Sequence, residues 1–145
     1  FDIPNRKAQV FNYKNKWEKS FSIPKDVQDM VSSLYYLRSL DFNNLKEGDI
    51  ISLNVFFDDE NNEIKLVFRG REVLNTKWGK VNSVVFIPMV QKGRVFRNEE
   101  SVTLWMSDDQ NKIPLKIKAT ILVGSLKAEL YEYSGLTNSF PIIFN

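Results

Sequence analysis

Apolar residues recur at every second position over most of this chain. Ile51, Leu53, Val55 and Phe57 share one face of an extended segment, Ile64, Leu66 and Phe68 share one face of the next, and the polar run "DDENNE" at 58–63 separates them. Side chains alternate between the two faces of a strand, so a period of two interrupted by a turn predicts an antiparallel hairpin. The stretch "REVLNTKWGKVNSVVFIPMV" at 71–90 repeats the theme around Gly79, a residue free to take the positive φ that a three- or four-residue hairpin loop demands. Residues 84–90 are apolar on both faces apart from Pro88, which predicts a central strand with a helix over its second face. Nearer the start, residues 7–14 and 17–23 are short aromatic and β-branched runs on either side of Asn15, and they predict two edge-like strands joined by a tight turn.

One segment changes period. In "PKDVQDMVSSLYYLRSL" at 24–40, Val27, Met30, Val31, Leu34 and Leu37 recur at helical spacing, Pro24 stands ahead of them, and Asp26 can cap with Asp29 in the first turn. A single helix is predicted here, over roughly 26–40 with its buried stripe between 27 and 37, ending before the polar loop "DFNNLKEGD".

The longest alternation lies between Trp105 and Tyr133. With Gly124-Ser125 as a two-residue turn, Val123 faces Leu126, Ile121 faces Ala128 and Ala119 faces Leu130 on the core side. The opposite side sets Thr120 across from Glu129 and Lys118 across from Tyr131. This register leaves Glu132 opposite Ile117 on the apolar face, which calls for a bulge or a strand that has left the core there. Pro114 falls at the start of its strand, where a missing amide is tolerated. The fold class that follows is mainly β: a curved antiparallel sheet or open barrel of about seven to nine strands with one packed helix.

Composition narrows the chemistry more than the fold. At 145 residues the chain is one domain's worth, a single β-rich domain over 1–145. No apolar run approaches the roughly 18 residues a membrane helix needs. Twenty basic and eighteen acidic residues interleave along the chain, a balance that points to no nucleic acid or other sign-selected partner. Cysteine is absent, which excludes disulfides, thiolate metal sites and cysteine nucleophiles, and histidine is absent too, which excludes histidine triads and histidine-bearing zinc sites. An enzyme built on this sequence would rely on carboxylates, lysine or tyrosine.

Each candidate for such chemistry has a plainer reading beside it. Asp58, Asp59, Glu60 and Glu63 lack the glycine and the distal glutamate of a calcium loop and read as a solvated turn, so no metal and no cofactor is expected. Asp108 and Asp109 also read as a turn, since adjacent residues of a strand point to opposite faces. Gly70, Gly79, Gly93 and Gly124 lie in turns and form no phosphate loop, because none leads from a strand into a helix. A ligand or partner surface falls to five residues. Tyr35, Tyr36 and Arg38 cluster on the helix, where they can line a cleft; the plainer expectation pairs Arg38 with Asp41 and packs both rings on the sheet. Glu72 stands at the mouth of a strand, where an exposed salt bridge is the plainer expectation. Trp105 alternates against Leu104 and Met106, so one of the two sets faces away from the core; an outward tryptophan is a platform for a ligand or partner, and the plainer expectation packs it under the helix or the absent half.

Several local patterns, in order, resemble the exported proteins of Gram-negative bacteria grouped as domain of unknown function 3108. They are "SSLYYLRSLDF" at 32–42, "GREV" at 70–73, "KWGK" at 77–80, "FIPMVQKGRVF" at 86–96 and "LWMSDDQNKIPLKIKATILVGSLKAEL" at 104–130, and Tyr35, Tyr36 and Arg38 fall within the first of them. The resemblance is to the C-terminal half of that family. It implies a β-rich, periplasmic or cell-envelope protein with a signal peptide outside this chain and with further strands ahead of Phe1, and it implies no reaction. The chain opens without an initiator methionine, which accords with a piece of something longer. A non-enzymatic binding or structural module is therefore expected, with a periplasmic carrier of an apolar ligand or lipid as the alternative and a carboxylate hydrolase last. Because one helix covers only part of such a sheet, a partner is expected against the first strand's edge or the open face: the absent half, a second polypeptide, a second copy or an apolar ligand.

Overall fold

The structure, a computed structural model, describes residues 1–90, 102–120 and 123–143. Among these it forms nine strands and one helix: β1 (Lys7–Asn12), β2 (Trp17–Ser22), α1 (Met30–Ser39), β3 (Ile50–Phe57), β4 (Glu60–Thr76), β5 (Gly79–Val90), β6 (Val102–Ser107), β7 (Pro114–Thr120), β8 (Ser125–Glu129) and β9 (Ile142–Ile143). The fold is mainly β, as the alternation predicts, but the strands divide between two sheets. β1 and β2 make a two-stranded sheet of their own. The other seven form one antiparallel sheet in the order β3-β4-β5-β6-β7-β8, with β9 added beside β5, and the sheet does not close into a barrel. β5 is the central strand expected from its two apolar faces, hydrogen-bonded to β4 on one side and to β6 and β9 on the other.

Local chemistry fixes the hairpins. Asp58 and Asp59 both take positive φ, 52° and 61°, between the paired residues Phe57 and Glu60, the geometry a two-residue hairpin turn requires and aspartate tolerates. Gly79 pairs with Thr76 across Lys77 and Trp78, so that loop has two residues rather than three or four. Gly70 is not in a turn. It sits at φ 117° where the β4–β5 register shifts between Phe68 and Gly70, and this bulge lets β4 run unbroken for 17 residues where the sequence reads as two strands.

Helix α1 starts later than its apolar periodicity suggests. Asp29, not Asp26, is the N-cap: its carboxylate accepts from the N–H groups of Val31 (2.8 Å) and Ser32 (2.7 Å), and its own N–H donates to the Ser32 hydroxyl (2.8 Å). Asp29 wins because it has a hydroxyl three residues on to return the bond, where Asp26 has Asp29. The preceding residues join the sheet instead, the Gln28 N–H donating to the Asn54 carbonyl and the Phe56 N–H to the Gln28 carbonyl. The expected stripe is corrected accordingly. Leu37 is fully buried and Leu34 partly so, Val27 is buried outside the helix, and Met30 and Val31 stand 55% and 65% exposed.

Two apolar clusters result. The larger lies under α1, where Leu37 and Phe42 meet Leu53, Val55, Leu66, Phe68, Val84, Phe86, Leu104 and Met106 from four successive strands. The smaller joins Ala8 and Ile23, at the base of the β1–β2 hairpin, to Val27 and Phe56, with Phe21 and Phe56 in ring contact at 5.5 Å. β1 pairs with β2 on one side, and before it a local bridge closes Asp2 onto Lys7.

The last hairpin departs from its expected register. Thr120 pairs with Ser125, Ala119 with Leu126, Ile117 with Ala128 and Lys116 with Glu129. Ser125 thus belongs to β8 rather than to a two-residue turn, and Ala128 faces Ile117 rather than Ile121. Ile121 and Gly93 lie outside the described residues. The observed register gains a 2.9 Å ion pair between Lys116 and Glu129 and removes the mismatch at Glu132, since β8 ends at Glu129. The shift keeps the alternating faces but not the burial, for every residue of β8 is exposed. Beyond it a strap over residues 130–143 returns to β5. It is held by the Leu130 N–H on the Leu115 carbonyl, by the Tyr133 and Phe140 rings against Trp78 (5.3 Å each), and by β9.

Candidate functional site

The five residues singled out from sequence fall in three places. Tyr35 and Arg38 lie on one flank of α1, with the guanidinium 5.5 Å from the centre of the Tyr35 ring. Tyr36 lies on the other flank, beside the edge of β3 with Asp26, Gln28 and Asn54. Glu72 and Trp105 meet on the sheet face opposite α1, where the indole N–H donates to the Glu72 carboxylate at 2.5 Å.

Three expectations about these residues are corrected, the first two on the helix. Arg38 does not pair with Asp41; its Nε–H donates to the Asn111 carbonyl at 3.0 Å, while Asp41 accepts from the Asn43 N–H. The rings of Tyr35 and Tyr36 stay exposed instead of packing on the sheet. Both follow from the late helix start, which sets α1 over β3 on Leu37 and turns its Tyr35–Arg38 flank toward the loop that precedes β7. Glu72 meets an indole rather than a cation, because the bulge at Gly70 brings Glu72 onto the face that Trp105 occupies. Leu104 and Met106 take the core side and leave Trp105 outward and half-buried, with the Lys116 ammonium 5.7 Å from its ring.

Beside Tyr35 and Arg38 runs an open groove of about 390 Å³. One wall is α1, through Val31, Leu34, Tyr35 and Arg38; the floor is Ile113 and Pro114; the far wall is the start of the strap, Leu130 to Leu136. Arg38 is the one basic residue of this lining and Glu132 the one acidic residue.

Sequence reasoning missed what holds the groove's floor. Asn111 is buried: its amide donates to the Asp109 carboxylate (2.7 Å) and to the Asn138 and Ser139 carbonyls, and its side-chain oxygen accepts the Asn138 N–H. Asp109 also accepts from the Ser107 hydroxyl (2.6 Å) and the Lys112 N–H (3.1 Å). These bonds clasp the loop before β7 to the strap, and Arg38 to both through the Asn111 carbonyl. The density of Asp and Asn in "SDDQN" is a turn signal, but nothing local foretells that its partner lies 27 residues away. Arg71 is a second such latch, donating from Nε to Asp108 (2.9 Å) and from its terminal nitrogen to the Phe42 carbonyl (2.6 Å).

Asp108, Asp109 and Glu72 all accept structural hydrogen bonds, and no group of three metal-ligating side chains occurs among the described residues. The groove offers an apolar trough with one fixed cation. A family model described as protein of unknown function (DUF3108) matches residues 1–131. No curated protein and no solved structure matches the chain.

Proposed function

Since the chain belongs to this family of proteins of unknown function, DUF3108, which assigns no reaction, we propose that it is a non-enzymatic binding module, by its geometry, of an exported cell-envelope protein, by its family resemblance. In this reading the groove beside α1 receives an apolar group that carries an acid. The observation behind it is Arg38, positioned by the Asn111 carbonyl within a lining otherwise built mostly from Val31, Leu34, Ile113, Pro114, Leu130 and Leu136. A guanidinium fixed beside apolar walls meets a carboxylate, sulfonate or phosphate with little loss of side-chain freedom. The groove is open along its length, which favours reversible capture over the enclosed carriage of a lipid.

A small apolar anion, 1-anilinonaphthalene-8-sulfonate, tests the reading. Saturable fluorescence enhancement is expected. Arg38→Gln should weaken it by roughly tenfold or more, the value of a charge-assisted hydrogen bond, and Glu132→Gln should strengthen it. An affinity indifferent to both substitutions overturns the reading. The exported setting rests on the family resemblance and is tested by osmotic-shock fractionation of the full-length protein. Release with periplasmic markers is expected, and retention with cytoplasmic ones overturns it.

A further inference from the structure

The β1–β2 hairpin carries a feature that neither the core nor the groove uses. Its base is fastened: Ala8 and Ile23 are buried, and Val10 and Phe21 pack against the same cluster as Phe56 and Val27. Its tip is largely exposed. Phe11 is 53% and Tyr13 91% exposed, and Lys14, Lys16 and Lys19 are exposed around the half-buried Trp17, with the Lys19 ammonium 4.7 Å from the Trp17 ring centre.

The charges interleave over most of the sequence, but its first 25 residues, which hold this hairpin, carry an excess of one sign. Residues 1–25 hold six basic side chains (Arg6, Lys7, Lys14, Lys16, Lys19, Lys25) against two acidic ones (Asp2, Glu18), four net positive charges in a protein of net charge +2. The remaining residues are therefore net negative. Phe11, Tyr13 and Trp17 belong to neither apolar cluster of the described residues, and they stand together at the end of the most basic element.

We propose that the tip of the β1–β2 hairpin docks on an anionic lipid surface. Tryptophan and tyrosine favour the membrane interface, where a ring enters the headgroup layer while its polar atom stays wet, and neighbouring lysines meet anionic headgroups. The register favours a bilayer over an acidic protein. Asn12 pairs with Trp17 and Phe11 with Glu18, so the Phe11 and Trp17 rings project from opposite faces of the ribbon, and Tyr13 lies in the turn between them. Such a knob is enclosed by a fluid headgroup layer, whereas a folded partner buries one face and leaves the other ring in water.

Co-sedimentation of the 145-residue chain with vesicles tests this. Binding is expected to vesicles of about 30% phosphatidylglycerol in phosphatidylcholine near 0.1 M salt, with release near 1 M salt, and no binding is expected to phosphatidylcholine alone. Each lysine near such a surface is worth about fivefold, so the triple variant Lys14→Gln/Lys16→Gln/Lys19→Gln should bind about a hundredfold more weakly at an unchanged melting temperature. Tyr13→Ser/Trp17→Ser should also weaken binding. Equal binding to neutral and anionic vesicles, absence of sedimentation, or undiminished binding by the lysine variant overturns the proposal. So does retention on an acidic protein or DNA without vesicle binding. The salt dependence of the unmodified protein decides the electrostatic part without any variant.

Discussion

Leu37→Ala is the sharpest test of how α1 is held. Leu37 is fully buried within the larger cluster, whose other members come from Phe42 and four strands, whereas Met30 and Val31 on the same helix face water. Removing three buried carbons at about 0.8 kcal/mol each takes away about 2.4 kcal/mol of burial. A residual cavity of about 50 Å3 adds about 1.2 kcal/mol at roughly 24 cal/mol per Å3. The expected loss is therefore about 3.5 kcal/mol, against about 0.5 kcal/mol or less for Met30→Ala. Urea unfolding followed by tryptophan fluorescence and by far-ultraviolet circular dichroism measures both. Coincident transitions with an unchanged slope and a lowered midpoint are expected for Leu37→Ala. A loss below about 1 kcal/mol would refute the reasoning and show a helix that detaches freely, because a Leu→Ala cavity in a well-packed core costs more than that.

Four further outcomes follow from the geometry. The Ser32 N–H above all, with the Val31 N–H and the Ser32 hydroxyl adding, holds the Asp29 carboxyl below its usual pKa of 3.8; a depressed folded-state pKa gives stability that is present above the unfolded value and lost as pH falls through the folded one. Asp29→Ala should thus cost about 1 kcal/mol near neutral pH, and its gap from the unmodified protein in thermal melts should narrow below pH 3.8. Gly79→Ala adds a Cβ 3.0 Å from Ile142 Cγ2 at a φ of 130°, and should destabilise by about 1–3 kcal/mol in urea, where a neutral result would mean that β9 yields easily. Because the chain has no cysteine, Ile117→Cys/Ala128→Cys gives one clean pair: facing positions should oxidise to a cross-link seen by mass spectrometry, and persistent free thiols would refute the register. Ala128→Phe, which would overpack an enclosed site by about 1–3 kcal/mol, should change the urea midpoint by less than about 0.5 kcal/mol on the exposed β8, and a larger loss would place β8 under cover.

The mainly β class, the early hairpin, the single helix and the central position of β5 are legible in the alternation, because each depends on which face a residue shows. Boundaries and registers depend on competition that a period does not express. Val27 fits the helical spacing, yet Gln28 bonds to β3 and Asp29 has Ser32 as a reciprocal capping partner, so the helix begins after both. The polar "RGR" at 69–71 breaks the alternation and reads as the end of a strand, whereas the bulge carries β4 through it and places Arg71 opposite Val84 on the core side. The candidate residues were legible as types and not as a constellation. Arg38 and Asn111 are 73 residues apart, and Glu72 and Trp105 are 33 apart with β5 between their strands, so both contacts arise from the sheet order.

The position of the groove follows from a mismatch between the helix and the sheet. Ten helical residues span about 15 Å, while the six strands from β3 to β8 span about 24 Å at roughly 4.8 Å per step. Seated at the β3 end by Leu37, α1 covers the large cluster and leaves the β7–β8 end only partly covered: Ile117, at the cluster's margin, and Ala119 are half-buried, and Leu126 is 64% exposed. The charges of Lys127 and Glu129 on the outermost strand oppose the addition of a further strand there, which is how natural sheets protect an edge. What closes part of the gap is the strap, which leaves β8 at Leu130 and returns past Asn111 to β5. The groove is the seam between these two covers, one helical and one extended. Arg38 lies at that seam because its anchor, the Asn111 carbonyl, belongs to the loop that the strap clasps.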